Sequence, residues 1–212
     1  MKMSEKEPEN PVKKIVMKTL KSISIVFFML LTITSCEVLD QMSQMQQLAL
    51  CEFKVTGVDQ VHIAGIQMDE NTRKRDLGAA QIMQLTAALF SRELPVDFDL
   101  QFNIENPNDK PAAMNRMDYE LFIDNKQILV GQMNQTVSVL PKSNSNVSMP
   151  VAIDLFKVLN NETQDALVNL AFKLTGDKSN PADILLKVKP YIQVGSKTLA
   201  YPGFLDLKYT LQ

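Results

Sequence analysis

Carboxylates are the only reactive side chains this chain supplies in number, with 24 Asp and Glu against one His and two Cys. Asp97, Asp99 and Glu105 lie at even spacing on one run. Two chemistries would use such a set: a carboxylate pair for glycoside hydrolysis, or oxygen ligands for calcium. The same spacing is also what the solvent face of a β-strand dictates, because side chains alternate between faces. Val96, Phe98, Leu100, Phe102 and Ile104 fill the intervening positions, so the solvated-face reading is favoured. His62 sits between Val61 and Ile63 on the opposite face from them, which suits a sheet rim better than a metal ligand. One imidazole excludes His–His metal motifs and leaves a single candidate base of that type. Two Cys cannot build a zinc cluster or a disulfide framework. The sequence contains no Gly-rich phosphate loop and no His-containing triad. No catalytic, cofactor-binding or metal-binding residue is expected, and an enzyme is the least favoured class.

The charge is unevenly placed. Residues 1–35 carry six Lys and three acids, whereas residues 36–212 carry sixteen Lys and Arg against twenty-one acids. A surface that binds nucleic acid needs the opposite sign, so no nucleic-acid partner is expected. Lys13, Lys14, Lys18 and Lys21 precede an uncharged stretch at 22–35. Those 14 residues are shorter than the roughly 20 needed to span a bilayer as a helix. A basic segment, a short apolar segment and small residues at its end read as a secretory signal. The start is open between Met1, Met3 and Met17. Ile33-Thr34-Ser35-Cys36 resembles the bacterial lipobox, and the resemblance implies lipidation of Cys36 and cleavage before it. An ordinary signal peptide with an incidental Cys36 is the alternative. The expected organisation is a lipoprotein signal peptide at 1–35, a tether at 36–52 and a domain at 53–212. The expected location is the bacterial cell envelope, held by lipid, with the outer membrane favoured. Within the tether, Val38, Met42, Met45 and Ala49 fall on one helical face. Cys51 could be a free thiol or pair between chains; a half-buried, unreactive thiol is the favoured reading.

From Phe53 onward the dominant hydrophobic period is two. Phe53 to Met68 suggests one or two strands broken near Gly57 and Gly65. The loop 69–76 holds Arg73-Lys74-Arg75 flanked by Asp69, Glu70 and Asp76, a solvated charge cluster. Residues 78–92 switch to a helical period, with Ala79, Ile82, Leu85 and Leu89 on one face and Pro95 beyond the end. The run 96–105 is apolar on one side and polar on the other, as in a sheet covering a core. Asn106-Pro107-Asn108 stops it. Pro107 has no N–H and a fixed φ, and it pushes Asn106 toward an extended conformation. Asn108 is the expected left-handed position of this structural turn. Further alternating runs end in turns at Asp124-Asn125-Lys126 and Pro141-Lys142-Ser143. Residues 155–174 read as a second helix, open to interruption at Asn160-Asn161-Glu162-Thr163. A hairpin over 184–201 and a last strand at 204–211 follow. Strands joined by short turns predict a mainly β chain, an immunoglobulin- or fibronectin III-like antiparallel sandwich with two peripheral helices.

The order of pieces within 98–155 is more specific than any piece alone. It runs Asn106-Pro107-Asn108, then Tyr119-Glu120-Leu121-Phe122-Ile123-Asp124, Val130-Gly131, Val139-Leu140-Pro141-Lys142-Ser143 and Met149-Pro150-Val151. This pattern resembles the group-2 late embryogenesis abundant family, the water stress and hypersensitive response domain. The resemblance implies a β-sandwich associated with desiccation or stress rather than catalysis. Two functional classes follow. One is a membrane-tethered module that shields or binds other envelope macromolecules. The other is an apolar-ligand carrier or accessory subunit, with a cleft between the sandwich and the helices at 78–92 and 155–174. The expected partners are the membrane, through the lipid, and an unidentified envelope protein. No cofactor is expected.

Overall fold

The computed structural model describes residues 43, 46–70, 72–194 and 196–212. The signal segment, Cys36 and most of the tether, including Val38, Met42 and Met45, lie outside the described residues. The tether's last turn, residues 46–49, is helical, and it inserts Leu48 into the core at 1% exposure while Ala49 faces solvent. Of the expected helical face only Ala49 lies within the described residues; it faces solvent while the larger Leu48 is buried, which removes more apolar surface from water.

Among the described residues the chain forms eleven strands. These are β1 (Glu52–Ile63), β2 (Ile66–Gln67), β3 (Pro95–Asn106), β4 (Ala112–Met114), β5 (Arg116–Ile123) and β6 (Lys126–Met133). They continue with β7 (Val137–Val139), β8 (Ser143–Asp154), β9 (Ala182–Val194), β10 (Lys197–Ala200) and β11 (Leu205–Leu211). One sheet has the order β2-β1-β3-β8. A second has the order β10-β9-β5-β6, with β11 also paired to β9, and β4 pairs with β7. All pairings are antiparallel. The two sheets face each other across one core, to which β3 contributes Val96, Phe98, Leu100, Phe102 and Ile104, all nearly inaccessible. Strand β5 answers from the second sheet with Met117, Tyr119, Leu121 and Ile123, and β8, beside β3 in the first sheet, adds Val147, Met149, Val151 and Ile153. The chain is a mainly β antiparallel sandwich.

The hairpin at Asp124-Asn125 has two loop residues, both with positive φ (50° and 63°), between the paired Ile123 and Lys126. Such a turn matches the right-handed twist of the strands, and Asn and Asp tolerate it. Strand β1 is continuous through Gly57 rather than broken there. Its register shifts between Val55 and Gly57 and again between Asp59 and His62, where Gln60 adopts φ 55°. Bulges absorb the extra residues while pairing continues.

Besides the helical turn at 46–49, three α-helices are formed among the described residues: α1 (Ala79–Ser91), α2 (Leu155–Val158) and α3 (Gln164–Lys173). The long second helix expected from the sequence is thus split. The Thr163 hydroxyl accepts from Ala166 N at 3.2 Å and starts a new helix after the Asn160–Glu162 segment. Helix α3 buries Leu167, Val168, Leu170, Ala171 and Phe172 directly on the core. Among the described residues, no helix is long and apolar enough to cross a membrane.

Candidate functional site

The densest polar arrangement is at the end of β3, where Asn106 is wholly inaccessible. Its amide Nδ2 donates to the carbonyls of Lys110 (2.9 Å), Val139 (3.0 Å) and Leu140 (3.1 Å). Its Oδ1 accepts from Asn108 N at 3.1 Å and from Asn108 Nδ2 at 2.7 Å. Asn108 Nδ2 also donates to the Gln47 carbonyl at 3.0 Å, linking the incoming chain to the turn. Across the turn, Lys142 donates its backbone N–H to Asn108 O (3.1 Å) and its Nζ to Pro107 O (2.7 Å). The three residues singled out in the sequence thus tie together β3, the loop before β4, the β7–β8 connection and the chain entering the domain. Asn108 is not the left-handed residue; that conformation falls on Lys142, with φ 50°. The reason is geometric. Asn108 spends its side chain on Asn106 and Gln47, so the reversal into β8 is made on the facing connection. Among the described residues, no buried side-chain nitrogen or oxygen lacks a partner, which leaves this cluster saturated by the protein itself.

Asp97, Asp99 and Glu105 lie on the outer face of the first sheet. Asp97 stands opposite His62, Asp99 opposite Asp59, and Glu105 opposite Glu52. Asp97 and Glu105 are exposed and Asp99 is half-buried. Asn103 pairs with Asn146 through their amides at 2.7 Å, and Gln101 donates to Ser148 Oγ at 3.1 Å. His62 is half-buried, and its Nδ1 lies 2.8 Å from the Gln60 carbonyl. Among the described residues, no group of three His, Cys, Asp or Glu side chains is placed to hold a metal. The basic loop is structural in part: the Arg73 guanidinium pairs with Asp177 at 3.0 Å, and Lys74 reaches Asn169. A cleft of about 300 Å³ lies between the β1 bulge, Leu174–Gly176 and β11, with Asp59, Asp69 and Glu70 among its lining residues.

Cys51 is half-buried, and its Sγ donates to the Gln47 carbonyl at 3.4 Å. Burial pushes its pKa up to about 11. Asp154 caps α2. Burial alone would raise its pKa, but hydrogen bonds from Leu94 N, Lys157 and Phe156 N outweigh that and hold it below the usual carboxylate value. Sequence reasoning did not find this double cap; an acid at the strand-to-helix junction was the available signal.

No curated protein is detectably similar to this chain. A crystal structure of a protein from Archaeoglobus fulgidus is 13% identical, covers 56% of this chain and 86% of that one, and has a TM-score of 0.31. A solution structure from Arabidopsis thaliana is 15% identical, with 76% and 80% covered and a TM-score of 0.41. A solution structure of a proposed late embryogenesis abundant protein is 15% identical, with 95% and 83% covered and a TM-score of 0.36. Residues 101–202, from the middle of β3 to the turn before β11, match the family model described as late embryogenesis abundant protein.

Proposed function

We propose that the chain is a bacterial envelope lipoprotein, anchored through Cys36, whose sandwich is a group-2 late embryogenesis abundant module acting by surface contact rather than catalysis. The observation that carries the contact mode is the outer face of the first sheet. Its Asp59, Asp97, Asp99, Glu52 and Glu105 carboxylates are interleaved with the Asn103–Asn146 and Gln101–Ser148 amide and hydroxyl pairs. Such a face holds water strongly and carries net negative charge, which keeps encounters weak and non-aggregating. The family match over residues 101–202 supports the stress association, and Ile33-Thr34-Ser35-Cys36 supports the anchor. Several acyl chains on one residue would make the anchoring stable where a single chain is marginal.

One experiment addresses each half. Cys36→Ser should abolish lipid labelling and release the chain from the membrane fraction; unchanged labelling removes the anchor from the proposal. Purified residues 46–212, which retain Leu48, should limit aggregation of a test enzyme during drying. An unrelated acidic sandwich domain at equal concentration is the control, and equal protection by it removes the stress role.

A further inference from the structure

Two leucines stand uncovered at the end of the sandwich where the chain enters: Leu50 is 61% exposed and Leu140 is 66% exposed. They belong to different segments, one before β1 and one between β7 and β8, yet four hydrogen bonds join their backbones. Leu50 N and Asn108 Nδ2 both donate to the Gln47 carbonyl, at 3.1 and 3.0 Å. Asn108 Nδ2 also donates to Asn106 Oδ1 at 2.7 Å, and Asn106 Nδ2 donates to Leu140 O at 3.1 Å. The saturated Asn106 cluster thus fixes the two leucines relative to each other. The β9–β10 hairpin reaches the same end, where Gln193 N donates to Asn115 Oδ1 at 2.8 Å.

This end also differs in charge from the rest of the domain. Residues 50–54, 105–111, 140–144 and 196–198 hold four Lys against three acids, while residues 36–212 hold sixteen Lys and Arg against twenty-one acids. Glu52 is paired with Lys54 at 2.9 Å and Asp109 with Lys142 at 3.1 Å. That leaves exposed Lys110 and Lys197 against exposed Glu105. The acidic outer face of the first sheet would be repelled by an anionic surface; this end would not.

We propose that this end is a docking face for an anionic lipid surface, with Leu50 and Leu140 entering the acyl boundary and Lys110 and Lys197 meeting lipid phosphates. The proposal rests on the anchored reading, because the length of the tether selects the occupant. The chain enters the domain at Gln47 and Leu48, held by the Asn108 bond and by burial of Leu48. Eleven residues separate Cys36 from Gln47, and eleven residues reach about 40 Å at most. The far end of the sandwich lies about 40 Å beyond the entry, the length of a twelve-residue strand. To bring that far end to the bilayer, the tether would have to be fully extended along the domain. The entry end reaches the bilayer with almost any tether conformation. A covalent anchor makes the encounter intramolecular, at a high effective concentration, so a small contact is enough to be populated. Apolar side chains flanked by lysines are the composition that an interfacial contact with anionic lipid requires.

The test uses the full-length chain, in the bacterial membrane and then purified into vesicles, with a photoreactive diazirine side chain at position 140. Lipid label on Cys36 and phospholipid adduct at position 140 are read on the same chains. Irradiation should join position 140 to phospholipid, and the same probe should give about fivefold less adduct at Phe90, 86% exposed at the far end, or at Val130, 62% exposed on β6. Leu50→Glu should lower the yield at position 140 by about fivefold. Lys110→Glu combined with Lys197→Glu should lower it by about threefold in vesicles of phosphatidylcholine mixed with phosphatidylglycerol, and much less in phosphatidylcholine alone. All these positions are exposed, so circular dichroism of each variant should match the parent. Label on Cys36 with no lipid adduct at position 140, with adducts to protein only, or with equal lipid adducts from positions 90 and 130, overturns the docking face and leaves the anchor standing. Undiminished yield in a folded Leu50→Glu chain also overturns the docking face. A lipid adduct at position 140 on a chain with no label at Cys36 overturns the anchor and leaves the docking face standing; loss of both signals overturns both.

Discussion

Asn106→Ala is the substitution whose cost can be worked most directly from the geometry. The amide NH2 has two hydrogens, shared over the Lys110, Val139 and Leu140 carbonyls at 2.9–3.1 Å. The Oδ1 accepts two more hydrogen bonds, from Asn108 N and Nδ2. Four hydrogen bonds at about 1 kcal/mol each give about 4 kcal/mol. Water can replace part of the pairing at the half-buried Asn108, which brings the expected loss to about 3 kcal/mol. That is a large share of the 5–15 kcal/mol typical of a domain. Pro107→Ala, by contrast, acts mainly by freeing the unfolded chain and should cost only about 1 kcal/mol. The Asn, rather than the Pro, is then the energetic centre of the turn.

Asn106→Asp separates the donor from the acceptor. It keeps Oδ1 but points a second oxygen at three carbonyls inside the protein. Its folded pKa should rise above the ordinary value near 3.9, since burial and carbonyl lone pairs both disfavour the anion. A raised folded pKa means that the destabilisation is largest above that pKa and shrinks as the pH falls through it. Urea unfolding of residues 46–212, followed by circular dichroism at pH 7.5 and pH 4.5, reads all three variants. An Asn106→Ala loss below ~0.5 kcal/mol, or an Asp variant with no pH dependence relative to the parent, would refute the reasoning.

Three further outcomes follow from the same structure. Cys51, whose pKa burial pushes up to about 11, is far less ionised at pH 8 than an ordinary thiol, so iodoacetamide should label it at least about tenfold more slowly in folded residues 46–212 than in urea, the higher nucleophilicity of the basic thiolate offsetting part of the difference. The lowered pKa of Asp154 means its capping contribution is present above the ordinary carboxylate pKa and is lost as the pH falls through the folded value; Asp154→Ala should cost about 1–2 kcal/mol at pH 7, and the gap to the parent should close toward pH 3 in thermal melts. A Cβ on Gly131 would stand 2.5 Å from the Tyr119 hydroxyl oxygen and 2.6 Å from its ring, so Gly131→Ala should cost about 1–3 kcal/mol, and combining it with Tyr119→Leu should cost less than the sum of the two in chemical denaturation.

The pieces legible in the sequence are those with a local cause. The alternation along β3 and β8 places their core residues without further information, because a strand has a period of two. Asp124-Asn125 declares its own turn through residues that accept positive φ. The motif pair Tyr119 and Val130-Gly131 was visible only as two fragments in order. The structure gives the reason they go together: Tyr119 lies opposite Gly131 in the β5–β6 register, and its ring occupies the space a side chain would take. What could not be read is what depends on distant carbonyls. Nothing near Asn106 in sequence announces that its amide meets residues 139 and 140, or that Asn108 holds residue 47. The helical period of 78–92 was readable, but a period cannot tell which apolar positions the sandwich leaves uncovered. Of the expected face Ala79, Ile82, Leu85 and Leu89, only Leu85 is buried and Leu89 half-buried, while Ala79 is exposed and Ile82 is 50% exposed, because the helix meets the sandwich along the Leu85, Ala88 and Leu89 side.

The two ends of the sandwich differ in kind. Strand β1 starts beside Glu105, next to the Asn106 cluster, and ends at Ile63, paired with Val96. Helix α1 leads into β3 from that second end, with Gln84 Nε2 donating to the Ala64 carbonyl at 2.8 Å. Twelve residues of strand put about 40 Å between the two ends. In the anchored arrangement proposed above, tension from the membrane would reach the domain through residues 47–52. That chain is held there by the Asn108–Gln47 hydrogen bond, by burial of Leu48 and by the first pairs of β1 with β3. These bonds sit beside the Asn106 cluster, so a pull on the tether loads the most cross-linked corner of the fold.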